Sequence, residues 1–315
     1  MKIIVAGSLA FDQIMLYPGA IADHIRPDMH HVISTSFVID HLEKNQGGTA
    51  GNICYNLGLL GEKPICLASI GKDGADYVHF LEKNNVETKF IQKNEKDYTA
   101  SFVVITDQDD CQISGFYEGA MKNDVNLSLE KCLEGMAVAP QDAFFVLAPT
   151  NAEAMAKYVH EALANKVHFL FSPAQQIPNL SSEDLLSGIT GADIVIGNDY
   201  EISLLLEKTG LSEEELLERG GVLVKTTGER GSTIHQKGRE ELVIGVAKPK
   251  QRQDPTGIGD AYIAGFVSGH VEGKTLIESA QIGATCAAYA IEQYGTTNHS
   301  FSKPIFENRM KENFG

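Results

Sequence analysis

Positive charge is scarce in this chain of 315 residues: 26 lysines and arginines stand against 42 aspartates and glutamates, a formal net charge of −16 at pH 7. A field of that sign repels phosphate backbones and anionic lipid, which argues against nucleic acid or a membrane surface as partner. It also sets a condition. Any polyphosphate site here needs its own local donors and a metal cation. Cysteines are few, and Cys54, Cys66, Cys111, Cys132 and Cys286 form no CxxC pair. An odd number without pairing suits reduced thiols and a cytoplasmic location better than a disulfide framework. Long apolar runs are missing too. The opening residues 1–7 are apolar but too short for a signal peptide or a membrane span. Without a secretory signal, the sequons at Asn126 and Asn179 read as chance matches. No linker, low-complexity tract or internal repeat divides the chain, so residues 1–315 read as one domain.

What is present is an alternation. Short apolar runs at 3–6, 65–70, 143–147, 167–171, 194–196 and 222–225 read as buried strands. Helix-length stretches such as 152–164 and 200–208 lie between them. Strand–helix–strand alternation predicts a mostly parallel sheet covered on both faces, with right-handed crossovers. Two regions break the rhythm. Residues 29–40 carry Val32, Ile33, Phe37 and Val38 without helical spacing, and residues 99–117 read as a hairpin around a polar turn at 107–110. Together they predict a small antiparallel flap outside the main sheet; ordinary edge strands are the alternative. The stretch from Thr296 to Gly315 is polar and reads as loosely packed.

The most informative segment is Asp254-Pro255-Thr256-Gly257-Ile258-Gly259-Asp260, followed by the helical pattern Ala261, Ala264, Gly265, Ser268. Two glycines immediately before a helix let successive backbone N–H groups converge on an anion, and the helix N-terminus adds partial positive charge. Such a cradle stabilises charge developing on a transferring phosphoryl group. A carboxylate at its edge, Asp260, can accept the proton of an attacking hydroxyl. Taken alone, the segment also fits a plain turn with an Asp cap. Gly269-His270-Val271-Glu272-Gly273-Lys274-Thr275 is a decoy: its glycines are one residue too close for a Walker A loop.

Residues 254–262 resemble the C-terminal signature of the ribokinase-like (PfkB) carbohydrate and nucleoside kinases, which usually reads D-T-T-G-A-G-D-A-F. Gly47-Gly48-Thr49-Ala50-Gly51-Asn52 and the following residues to Gly61 resemble the N-terminal signature of that family. The resemblance runs from Gly7 to about Tyr294. It implies a three-layer α/β/α sandwich with a mostly parallel central sheet and a small β-sheet lid, built from segments near 10–45 and 97–120. It further implies an ATP-dependent kinase in which Asp260, Gly257 and Gly259 are catalytic. Asn198, Thr226, Gly228, Gly231, Thr256, Gly257 and Gly259 would bind ATP. Glu201, with Asn198 in an N-x-x-E element, would support Mg²⁺ through water, since magnesium favours oxygen ligands and keeps its waters. Monovalent-cation activation and a homodimer formed through the lid are also properties the family allows.

For the acceptor, Asp12 follows the first strand, and an ionised carboxylate can grip two adjacent hydroxyls. An Asx-turn is the bland alternative. The family pattern adds Ser8, Gly48 and Asn52 to the same sugar. Within the family, the segments around 48–57, 99–102, 112–121 and 172–176, together with Pro255, resemble the bacterial adenosine kinases. Ser172 and Glu118 depart from that pattern, standing where Asp and Pro are common. Phe102 and Phe116 on neighbouring flap strands could sandwich a purine, and Gln175 or Gln176 could meet its edge with donor and acceptor. The expected reaction is therefore transfer from ATP to a nucleoside hydroxymethyl group, adenosine to AMP. Phosphorylation of ribose, fructose or a related sugar is the alternative.

Overall fold

The computed structural model describes residues 1–24, 36–109 and 111–315. In chain order its strands are β1 (Lys2–Ala6), β2 (Ala10–Leu16), β3 (His41–Gly47), β4 (Ile65–Gly71), β5 (Ile91–Asn94), β6 (Ala100–Thr106) and β7 (Gln112–Tyr117). There follow β8 (Ala143–Leu147), β9 (His168–Phe171), β10 (Ile194–Asn198), β11 (Val222–Thr226), β12 (Ser232–Gln236) and β13 (Leu242–Ile244). The α-helices are α1 (Thr49–Leu59), α2 (Ala75–Lys83), α3 (Leu129–Met136), α4 (Ala152–Asn165) and α5 (Ser182–Gly191). After them come α6 (Asp199–Thr209), α7 (Glu213–Arg219), α8 (Ile258–Val271), α9 (Leu276–Ala290) and α10 (Lys303–Phe314).

Nine strands form one sheet in the order β13-β12-β11-β10-β9-β8-β1-β4-β5. Every pair from β5 across to β11 is parallel, and β12 alone runs against its neighbours. Successive strand residues point to opposite faces, and the sequence fills both. Ile3, Val5, Phe144 and Val146 pack against Ile53 and Leu57 of α1 and Phe266 of α8. Ile4, Ala6, Phe145 and Leu147 pack on the other side with Met155 and Tyr158 of α4 and Leu185 of α5. A strand buried on both faces reads as a continuous apolar run, which is why β1, β4 and β8 were legible. Each such side chain contributes roughly 1.5–3 kcal/mol on burial. The three-layer arrangement expected from the sequence is present.

The small sheet has the order β3-β2-β6-β7. Its outer pairs are antiparallel, but the central pair, β2 with β6, is parallel, which corrects the expected antiparallel flap. The reason is connectivity. β2 follows β1 and β6 follows β5, two strands of the parallel sheet, so both leave its carboxyl edge in one direction. The hairpin of β6 and β7 stands where 99–117 predicted it. Of the apolar segment at 29–40, residues 29–35 lie outside the described residues, and β3 follows it as a polar strand.

The C-terminal stretch is tightly packed, contrary to the expectation drawn from its polarity. Thr296, Thr297 and His299 are buried, α10 places Phe306 in the core, and Arg309 forms a buried ion pair with Glu292. Polar residues can be buried when they find partners: the two threonines bond Gln46 O, Arg309 pairs with Glu292, and His299 is held through Nε2 alone.

Candidate active site

In open parallel sheets, ligands bind beyond the carboxyl ends of the strands. The expected site residues gather at that edge. The Gly7–Leu9 link carries β1 into β2, α1 begins after Gly48, and Asn198 and Thr226 close β10 and β11 as direct register partners. Gly48 caps α1 with φ +85, a backbone conformation that favours glycine. A Cβ there would meet Ser8 O at 2.6 Å.

The link between the two sequence signatures is one hydrogen bond. Asn52 Nδ2 donates to Asp260 Oδ2 at 2.8 Å, across 208 positions of sequence. Asn52 Oδ1 is buried and, among the described residues, has no partner. Gly257 caps α8 in the left-handed region, φ +74, with Thr296 Cγ2 only 2.8 Å from where a Cβ would lie. The first N–H used inside α8 is that of Ala261, which donates to Gly257 O. Among the described residues, the N–H groups of Ile258, Gly259 and Asp260 have no such partner. Beside Gly259 there is open space where a side chain would be. Three free donors at a helix N-terminus can hold an anion. Asp254 braces this loop, accepting from Thr256 N at 2.9 Å and from Gly295 N at 3.0 Å.

Burial, together with the charges of Asp12 and Glu201, pushes the Asp260 carboxyl up to about 7 against the opposing pull of Asn52. Burial and then Asp254 raise Asp12 to about 6. Two carboxyls poised near neutral pH in one cleft are the pattern of a site that handles protons. Glu201 and Asn198 are joined in a capping box, each side chain accepting from the other's backbone N–H at 2.8 Å. Among the described residues no three His, Cys, Asp or Glu side chains converge to hold a metal ion. That donor set does not cage a cation by itself. It fits a magnesium that keeps its waters and takes most of its oxygens from phosphates.

Asp12 lies in a cross-strand row on one face of the small sheet: Asn45, Asp12, Phe102 and Phe116 are successive register partners from β3 to β7. A Cβ on Gly47 would meet Asp12 Oδ2 at 2.2 Å, which sets the carboxylate against the N-terminal signature. Phe102 and Phe116 are directly opposed and 36% and 53% exposed. Directly opposed residues share one face, so both phenylalanines stand on the face that carries Asp12. The remaining expected residues are less closely tied. The Ser8 hydroxyl accepts from Thr49 N at 3.1 Å and so holds the start of α1. Gln175 is exposed, and Gln176 Oε1 accepts from Asn179. Among the described residues neither glutamine bonds to the Asp260 group. Gly228 and Gly231 shape the turn between β11 and β12, closed by Thr227 N on Gly231 O.

Several site residues escaped sequence reasoning. Thr296 and Thr297 hydroxyls both donate to Gln46 O, and Asn298 Nδ2 donates to Asn45 Oδ1 at 3.1 Å. His299 contacts Asn56. The signal available was the polar run Thr296-Thr297-Asn298-His299 directly after Gly295.

A model of the pfkB family of carbohydrate kinases matches residues 12–303. The chain is 29% identical to a nucleoside kinase of Methanocaldococcus jannaschii over 265 residues, 83% of this chain and 84% of that protein. It is 27% identical to a nucleoside kinase of Methanothermobacter thermautotrophicus over 302 residues, 93% and 90% of the two chains. Among solved structures, the nucleoside kinase of Burkholderia thailandensis in complex with inosine superimposes with a TM-score of 0.87 at 27% identity, covering 100% of this chain and 98% of that one. With a family model spanning most of its length and this fold shared, the chain belongs to the pfkB family of carbohydrate kinases, phosphotransferases that act on an alcohol group.

Proposed function

We propose that this protein is an ATP-dependent nucleoside kinase that phosphorylates the 5′-hydroxyl of a purine nucleoside, adenosine first, with inosine the nearest competitor. The observation that carries this reading is the row Asn45-Asp12-Phe102-Phe116. Its first half is polar and suits the hydroxyls of a ribose. Its second half is aromatic and suits a base, each stacking contact contributing roughly 1–3 kcal/mol. A free sugar would leave the two phenylalanines uncovered. The named relatives are nucleoside kinases, and the Burkholderia thailandensis enzyme has been solved with inosine and with ADP-inosine.

In this reading Asp12 and Asn52 hold the ribose, with Asn52 Oδ1 supplying an acceptor that has no partner among the described residues. Asp260 takes the proton of the attacking 5′-hydroxyl. The free N–H groups of Ile258, Gly259 and Asp260 receive the charge that develops on the transferring phosphoryl group. Thr226, Gly228 and Gly231 line the nucleotide, and Gln175 or Gln176 meets the base edge when the small sheet closes as a lid. Asn198 and Glu201 would hold Mg²⁺ through its waters; bound to the phosphates, the ion neutralises charge that a chain of net charge −16 cannot. The exposed apolar face of β7, with Ile113 and Tyr117, favours pairing of two lids in a homodimer.

The test is ADP release with ATP-Mg²⁺ across adenosine, inosine, guanosine, cytidine, ribose and fructose. Purine nucleosides should exceed free ribose in kcat/KM by about a hundredfold, the worth of two stacking contacts. A free sugar phosphorylated as well as any nucleoside would refute the reading.

A further inference from the structure

A buried hydrogen-bonded path, one link of which is the Asn52 backbone carbonyl, connects the Asp260 carboxylate to the C-terminal segment. Asn52, Tyr55 and Asn56 share one face of α1, being three and four positions apart. Asn52 Nδ2 donates to Asp260 Oδ2. Asn56, fully buried, donates its Nδ2 to Asn52 O at 2.9 Å. That bond turns the Nδ2 end of the amide toward Asn52, so its Oδ1 faces His299 Nε2 at 2.8 Å as an acceptor. The hydrogen-bond pattern thus assigns the proton to Nε2 and leaves Nδ1 bare. The bare Nδ1 is buried and has no partner among the described residues. Desolvation holds the ring neutral, its pKa lowered to about 4. Tyr55 completes the circuit by donating its hydroxyl to His299 O.

The histidine is itself fixed from both sides. Gly295 N donates to Asp254 of the catalytic loop, and the Thr296 and Thr297 hydroxyls donate to Gln46 O at the end of β3. His299 therefore sits on a strap stitched to both signatures, and its ring is the strap's contact with the helix turn that carries Asn52. A packing role alone needs only volume, which a leucine would supply. The Asn56 Oδ1 acceptor needs an N–H, and leaving it unsatisfied would let the asparagine turn and withdraw its side-chain donor from Asn52 O.

We propose that His299 is a positioning residue for the reaction: through Asn56 it fixes Asn52, and Asn52 aims the Asp260 carboxylate at the acceptor hydroxyl. This rests on the assignment of Asp260 as the base.

A double-mutant cycle on kcat tests it, using whichever acceptor the wild-type enzyme phosphorylates. His299→Ala should lower kcat about tenfold or more, with the KM for ATP unchanged. In an Asn52→Ala background the same substitution should change kcat by less than about twofold, because the element it acts through is gone. His299→Gln, which keeps an N–H donor, should recover most of the loss. Should His299→Ala fail to fold, Asn56→Ser breaks the relay while keeping the histidine and enters the same cycle. Equal losses in both backgrounds, or no loss in the wild-type background, would overturn the proposal. An enzyme that is inactive toward every acceptor, or active as Asp260→Asn, would instead defeat the functional reading.

Discussion

Replacing Asp260 by Asn probes the carboxylate from two directions. Asparagine keeps the shape and can accept from Asn52 Nδ2 through its Oδ1, but it cannot take a proton from a hydroxyl. Turnover should fall by about 10²–10⁴-fold, the range for loss of a general base. Stability should move the other way. The Asp260 carboxyl is raised from 3.8 to about 7, so the folded state holds this proton more tightly than the unfolded chain does. Its favourable contribution is complete below the unfolded value and is lost as pH rises toward the folded one. An interval of about three pH units, at 1.36 kcal/mol each, opposes folding by about 4 kcal/mol at pH 8 and about 2 kcal/mol at pH 5. These are ceilings, because the side chain keeps some contact with solvent. The variant, free of that penalty, should gain stability over the wild type, with the larger gain at pH 8. Urea unfolding followed by circular dichroism at both pH values measures the two gaps. A gap that stays the same from pH 5 to pH 8, or a variant less stable at pH 8, would refute a strained, buried carboxylate.

Three further outcomes are expected. Gly257→Ala places a Cβ at a residue with φ +74 and 2.8 Å from Thr296 Cγ2; it should cost about 1–2 kcal/mol of stability and depress kcat, read from melting and steady-state kinetics. Phe102→Ala should raise the nucleoside KM about 5–150-fold, the equivalent of one stacking contact, while leaving any ribose KM unchanged. Arg309→Met strands the buried Glu292 carboxylate and should cost about 3–5 kcal/mol in urea unfolding. Pairing it with Glu292→Leu should restore most of that loss.

The central sheet was legible because β1, β4, β8 and β10 are buried on both faces and are written as unbroken apolar runs. The flap was half legible. Residues 99–117 carry a hairpin signal, but β3, His41–Gly47, is polar along most of its length and takes its shape from pairing with β2 rather than from its own side chains. Local patterning cannot report a partner that lies far away in sequence. The parallel β2–β6 pair was missed for the same reason. At the site, Gly47 to Asn52 and Asp254 to Asp260 were legible because their backbone demands restrict the residue types. The strap at 295–299 was not. Its threonines, asparagine and histidine are polar residues whose partners, Gln46, Asn45 and Asn56, stand about 250 positions earlier, and nothing in a window of a few residues distinguishes them from a loose tail.

The Asn52–Asp260 bond also carries a consequence in time. Its two ends are 208 residues apart, and Tyr55 meets His299 across 244. Chain synthesis runs at about 5–20 residues per second, so roughly ten to forty seconds separate the emergence of Asn52 from that of Asp260. During that interval the half of the sheet around β1, β4 and β8 can form from its own local crossovers. The polar pocket at its edge stays open, with Asn52 facing water. The Asn52–Asp260 contact can therefore close only late in synthesis, and contact order rather than helix propensity sets when the two signatures meet.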